Sequence, residues 1–179
     1  MVIVTTKEGA EISLKDWQKK YGLPENSTKI GKFFSTTERK FAQDLADYGK
    51  LHVNELLMRF MDRLREKWGK PLNVNSFNRS PEKQAQLQAA GYRAAQFSPH
   101  MVYMAVDLDT GSALESRQLA MMAEGVAKEL GIKIRIGLEE YIKAGQTFVH
   151  FDCCPEYYAK GKPFHGQSHP AQWESPIKW

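Results

Sequence analysis

The sequence predicts an α+β fold, a small, mostly antiparallel sheet packed against helices, on three observations. Apolar residues from Val53 to Trp68 recur at three- and four-residue steps, the period of an amphipathic helix. Stretches 104–109, 132–137 and 147–152 instead alternate with period two, as strands do. Helical segments come first and strands are interspersed later, an order that suits segregated rather than alternating elements.

At 179 residues the chain can bury a core without disulfides. Its 42% hydrophobic and 26% charged residues are ordinary for a soluble globular protein, and 13 Gly and 8 Pro support neither a collagen-like nor a disordered reading. No apolar run approaches the length needed to span a membrane. The N-terminus carries Glu8 and Glu11 and lacks a basic start followed by a long apolar stretch. No secretory signal is expected, and synthesis in a reducing cytoplasm is the default. Cys153 and Cys154 are adjacent, which suits neither a disulfide framework nor a C-x-x-C redox or zinc site. A net charge of +4 implies a mild liking for polyanions: nucleic acid, anionic lipid or an anionic cell wall. With no long Lys/Arg run and no zinc-finger spacing, neither nucleic acid nor a membrane is an expected partner, and a monomer is expected.

Residues 1–32 read as a polar lead-in with one short helix, Leu14 to Tyr21, stopped by Gly22 and Pro24. A helix near Thr37–Tyr48 follows Phe33-Phe34-Ser35. The stronger helix carries Val53, Leu56, Leu57, Phe60, Met61, Leu64 and Trp68 on its core face and ends at Gly69. "PLNVNSFNRS" (71–80) alternates like a short strand and runs into a helix start, with Ser80 as cap and Pro81 at the first helical position. That helix breaks at Gly91, and a loop over 92–103 leads to the strand Met104–Asp109. Ser112 and Glu115 form a capping box for a helix carrying Leu119, Met122, Val126 and Leu130, closed by Gly131. Strands follow at 132–137 and 147–152, and the sheet is expected to set the strand at 104–109 beside the one at 147–152. After Pro155 the chain is rich in Pro, Gly, His and aromatics and reads as irregular.

Candidate chemistry gathers on two strands. In "SPHMVYMAVD" (98–107), Met104, Val106 and Leu108 share one strand face while Ala105, Asp107 and Asp109 share the other. A carboxylate between apolar neighbours is expensive to bury unless a metal, an arginine or water meets it. In "TFVHFD" (147–152), Phe148, His150 and Asp152 share a face. Two histidines and a carboxylate with one open position make a common catalytic zinc set. Each pair alone has a plain reading as a satisfied core or surface pair; Ser76, Arg79 and Ser98 nearby add weight to the combination. His165 and His169 are spaced for a helical metal site, but Pro163, Gly166 and Pro170 argue against a helix. They, like Cys153 and Cys154, are read as carrying no ligand role.

Between Phe33 and Asp152 the sequence resembles the D-alanyl-D-alanine carboxypeptidase-like zinc metallopeptidases, a family that includes bacteriophage endolysin peptidases and whose fold is shared by Hedgehog-type signalling domains. Four segments carry the resemblance in order. "FFSTTE" (33–38) is similar to a phenylalanine-serine opening motif, and "SFNRSPEKQ" (76–84) to a Ser-x-x-Arg segment. "SPHMVYMAVD" is similar to S-x-H-x-x-G-x-A-x-D at Ser98, His100, Ala105 and Asp107, and "FVHFD" to a closing F-V-H-x-D strand. Tyr103 stands where the motif has glycine, which is costly if that position needs a positive φ.

The resemblance implies a zinc peptidase domain over 33–155, flanked by the 1–32 lead-in and by a 156–179 tail packed on it. It implies Zn²⁺ held by His100, Asp107 and His150, activating a water for attack on a peptide carbonyl. Arg79 would bind a substrate carboxylate or the developing oxyanion, against a plain reading as a structural ion pair. Ser98 would either contact the site or shape its loop. The usual acidic residue three positions before the last histidine is Thr147 here. Asp152 is the first choice as general base or ligand-orienting carboxylate, with Glu139 and Glu140 as alternatives. The implied substrate is a peptidoglycan stem peptide or cross-link, cut by an enzyme made in the cytoplasm that acts on the cell wall, as a phage or prophage lysin or a virion-associated protein. The alternative is a non-catalytic, zinc-stabilised wall-binding or signalling module, which the absence of the acid at Thr147 favours.

Overall fold

The computed structural model describes residues 1–92, 95–158 and 178. The first 32 residues hold more structure than their polarity suggests. Val2–Thr5 (β1) and Glu11–Ser13 (β2) pair antiparallel, and Leu14–Tyr21 (α1) follows, with Ser13 Oγ accepting from the Asp16 amide. These elements are not an appendage: Val4, Trp17 and Ile30 lie in the same buried cluster as the rest of the core.

Arg39–Tyr48 (α2) leads into Leu51–Asn54 (β3), which pairs parallel with β1 and completes a three-stranded sheet in the order β2-β1-β3. Glu55–Trp68 (α3) starts only after that strand. Val53 is thus buried from a strand rather than from the helix its spacing predicts. A helical step of four separates Val53 from Leu57, so periodicity alone does not show that the element changes between them. Asn54 marks the change, its Oδ1 accepting from the Leu57 amide.

Val74–Ser76 (β4) and Pro81–Ala89 (α4) follow, with Ser80 Oγ capping α4 through the Lys83 amide as the sequence predicts. A 3₁₀ turn, Pro99–Val102, precedes Ala105–Asp109 (β5), and Ala113–Leu130 (α5) packs against α3. Ser112 and Glu115 cap α5, though the Glu115 carboxylate accepts from Gly111 N rather than from the Ser112 amide. Arg135–Gly137 (β6), Glu139–Lys143 (α6), Phe148–Asp152 (β7) and Cys154–Tyr158 (α7) complete the described elements. The second sheet is antiparallel throughout, in the order β4-β5-β7-β6, so the strands at 104–109 and 147–152 are neighbours as expected. One face of this sheet is core: Val106, Leu108, Ile136, Val149 and Phe151 are all buried. Among the described residues no helix is long and apolar enough to cross a membrane. His165, His169 and most of the 156–179 tail lie outside the described residues.

The "FFSTTE" segment acts through packing. Asp62 on α3 accepts from the Lys32 and Phe33 amides at 2.7 and 3.0 Å, drawing this segment against the helix. A side chain at Gly31 would place its Cβ 2.6 Å from Met58 Sδ and 2.9 Å from Asp62 Oδ1, so either side chain would have to shift to admit it. Phe34 then packs edge-on against Phe41, and Phe41 edge-on against Phe77. Phe77 is the residue whose carbonyl orients His100.

Candidate metal centre

Strand register builds the site. Ser76, Asp107, His150 and Gly137 lie opposite one another across β4, β5, β7 and β6, forming one row of the sheet. A second row, two residues along, holds Ala105, Asp152 and Arg135. Because side chains alternate, both rows face away from the hydrophobic core, on one polar face. His100 joins them from the 3₁₀ turn. Its approach is fixed by the Arg79 amide, which donates to the His100 carbonyl at 3.3 Å.

His100, Asp107 and His150 are all buried, and one donor atom from each lies within 4.8 Å of the other two. His100 Nδ1 lies 2.7 Å from the Phe77 carbonyl; a carbonyl only accepts, so Nδ1 carries the hydrogen and Nε2 keeps a lone pair. That Nε2 is buried without a hydrogen-bond partner, 3.3 Å from Asp107 Oδ1. An acceptor set against an acceptor calls for a cation between them. His150 Nδ1 lies 2.8 Å from the same Asp107 oxygen. Atoms bound to one tetrahedral zinc at ~2.0–2.1 Å sit about 3.3 Å apart, so the set fits such an ion after small adjustments. The three residues can hold a metal ion.

Electrostatics agree with that reading. Burial would raise the Asp107 pKa, but the neighbouring His100 and His150 outweigh it and hold the carboxylate ionised. Burial lowers the His100 pKa and keeps its ring neutral, as a ligand must be. His150 behaves differently: burial would lower its pKa, yet Asp107 and Asp152 push it up to about 9. Without a metal, this imidazole is a cation between two carboxylates.

Arg79 reaches the rim of the centre. Its Nη2 donates to Ser76 Oγ at 2.8 Å and lies 4.0 Å from Asp107 Oδ2, while Nη1 donates to Gln84 Oε1 at 2.9 Å. The guanidinium is therefore held in place beside the ligands and is 15% exposed. Ser98 is buried at the start of the 3₁₀ turn, where its carbonyl accepts from the Met101 amide. Tyr103 closes that turn with φ of 61°, the positive value that favours the glycine of the motif. Its ring stacks on His52 of β3, with centroids 3.9 Å apart, and this contact offsets backbone strain.

The three candidate bases fall in different places. Asp152 is fully buried; both of its oxygens accept from Arg135 at 2.8–3.0 Å, and Oδ2 also lies 3.1 Å from His150 Nε2. Glu139 and Glu140 lie on α6 rather than in a loop, and their carboxylates pair with Arg117 and Lys143 on the outer surface. Cys153 and Cys154 are buried thiols whose pKa values burial pushes up, and neither belongs to the His-Asp-His cluster.

Two further residues face the centre. Arg135 is one, and its signal was legible: in "IKIRIG" the isoleucines alternate with Lys133 and Arg135, which puts a cation on the polar face. Tyr141 is the other, its ring 6.4 Å from that of His150 and packed on Phe148. Burial and the charge of Asp107 raise its pKa, so the phenol stays protonated. Nothing in the spacing of α6 announces it.

No family model matches the chain, and no curated protein matches it. Among solved structures, the crystal structure of Serratia marcescens L-Ala D-Glu endopeptidase ChiX is similar at 23% identity and a TM-score of 0.48, covering 56% of this chain and 80% of that one.

Proposed function

We propose that this chain is a zinc-dependent peptidase acting on peptidoglycan stem peptides or cross-links. The observation that carries the reading is the buried His100 Nε2, which makes no hydrogen bond and lies 3.3 Å from Asp107 Oδ1 beside a guanidinium held at the rim. Two neutral imidazoles and one carboxylate suit Zn²⁺ and leave a position open. His100, Asp107 and His150 would hold the ion, which would supply Lewis acidity and bring the pKa of a water on it down to about 7.

The chain's own residues supply the rest. Asp107 balances the cation and is kept ionised by its neighbours. Arg79, fixed by Ser76 and Gln84, presents its fork to a substrate carboxylate or to the oxyanion that forms at the scissile carbonyl. Tyr141 offers a protonated phenol beside the same site. Stem peptides carry both carboxylates and amide bonds, and the family resemblance carried by the Ser76–Arg79, Ser98–Asp107 and 148–152 segments implies that substrate class. The setting that fits such an activity is a cell-wall lysin of phage or prophage origin, or a virion-associated enzyme.

One observation favours a second reading, a zinc-stabilised binding module without turnover. Among the described residues, none of the three candidate base carboxylates is uncommitted: Asp152 is held by Arg135, and Glu139 and Glu140 pair on the surface. Purified peptidoglycan incubated with the zinc-loaded chain, with and without chelator, separates the two. The peptidase releases peptides that mass spectrometry assigns to one cleaved bond, and the chelator stops the release. Zinc-dependent sedimentation with the wall and no released peptide would establish the binding module instead.

A further inference from the structure

We propose that Arg135 is a positioning residue of the metal centre, which it orders through Asp152 and His150. The inference rests on the metal-site reading above and extends it beyond the three ligands. β6 sets Arg135 directly across from Asp152 on β7, and the guanidinium grips both carboxylate oxygens, Nε at 2.9 and 3.0 Å and Nη2 at 2.8 Å. Both partners are almost fully buried, with side chains 3% and 0% exposed. A carboxylate so gripped is ionised and only accepts hydrogen bonds. His150 Nε2, 3.1 Å from Asp152 Oδ2, must therefore carry a hydrogen and donate it.

That bond decides which nitrogen can bind a metal. With Nε2 occupied, the ligand lone pair of His150 is on Nδ1, the atom 2.8 Å from Asp107 Oδ1. Arg135 thereby fixes the tautomer and the ring angle of His150 without touching the ion. His100 is fixed in the opposite sense by the Phe77 carbonyl, so the centre uses Nε2 from one histidine and Nδ1 from the other. Outer partners of this kind carry a 10–100-fold effect on metal affinity. It also follows that Asp152, whose oxygens serve Arg135 and His150, orients a ligand and does not take a proton from water.

The test uses the metal-free 179-residue chain titrated with Co²⁺ alone, read by its visible absorption bands and by competition with a chromophoric chelator. Arg135→Lys keeps the charge and loses the two-pronged grip. The expected result is a melting temperature close to that of the parent, Co²⁺ affinity lower by about 10-fold, and altered bands. A role confined to balancing the buried charge of Asp152 predicts parental affinity and bands in this variant, and that result would overturn the proposal. Should Arg135→Lys not fold, Arg135→Met with Asp152→Asn removes both buried charges and is judged by the same criterion. Failure of the parent chain to bind Co²⁺ would overturn the metal reading itself, and this inference with it.

Discussion

The two histidines of the centre are held by unlike means. His150 sits in the middle of β7, between β5 and β6, and its ring is set by the buried Asp152–Arg135 pair. His100 sits on a four-residue 3₁₀ turn, set by the Phe77 carbonyl and closed by a tyrosine in a left-handed conformation. One arm depends on regular strand register and the other on contacts made by distant loops. Asp107 is the hinge of the comparison, since it lies in register with His150 and within 3.3 Å of His100.

Removing that shared residue has the largest expected effect. Asp107→Ala leaves two imidazoles without the anion between them, and metal affinity should fall by more than the roughly 100-fold that an outer partner carries. Calorimetric titration with Zn²⁺ measures it. Arg79→Ala comes next: the loss of one preformed oxyanion or carboxylate contact should lower kcat/KM by about 10²–10³-fold while zinc content stays at the parental level. Arg79→Lys should lose less. An Arg79→Ala chain that unfolds readily, yet cleaves normally in its folded fraction, would make this residue a structural ion-pair member.

The His150 arm carries a pH signature that the His100 arm lacks. In the metal-free protein the His150 pKa is raised from 6.5 to about 9, so the stability it contributes is fully present below 6.5 and is lost as pH rises through 9. The melting temperature of chelated protein should fall across that window from this contribution, and the zinc-loaded protein, whose His150 is a neutral ligand at both ends, should not share the fall. Parallel melting curves for the two forms would contradict it.

The His100 arm is sharpened by Tyr103. Tyr103→Ala keeps the positive φ and loses the stack on His52, and should cost about 1 kcal/mol, a drop of about 2–4 °C in Tm. Tyr103→Gly relieves a left-handed strain of about 1–2 kcal/mol while losing the same stack, and should be nearly neutral. Equal losses in both would mean that the turn is not strained. Smallest of all, Glu139→Gln and Glu140→Gln should leave peptide release unchanged, since Glu139 pairs with Arg117 of α5 and Glu140 with Lys143 of α6, both at the surface. Loss of turnover in either variant would return it to the role of base.

The same contrast explains what the sequence shows and what it hides. Alternation in 104–109 and 147–152 places Asp107, His150 and Asp152 on polar faces, and side-by-side pairing of those strands brings them together, so this arm is readable from spacing. Ser80, Ser112 and Gly131 likewise mark helix ends by chemistry local to the chain. β1 and β2 escape notice because short, half-exposed strands carry little period, and β3 because its apolar residues continue the rhythm of α3. The role of Asp152 is open in the sequence between base and ligand-orienting carboxylate. Only the partner strand shows that Arg135 holds it, and a cross-strand pair has no signature along one strand. The contacts that fix His100 come from far along the chain: Phe77 lies 23 residues away, and the stack on Tyr103 comes from His52 on β3 of the other sheet. No local pattern records them.

The most direct test of the centre is metal analysis of the chain purified without added metal, beside His100→Ala and His150→Ala. A three-residue site predicts about one Zn²⁺ per chain in the parent and substoichiometric metal in each variant, including the variant on the loop arm. Zinc content unchanged by either substitution would contradict the assignment of His100, Asp107 and His150 as one metal centre.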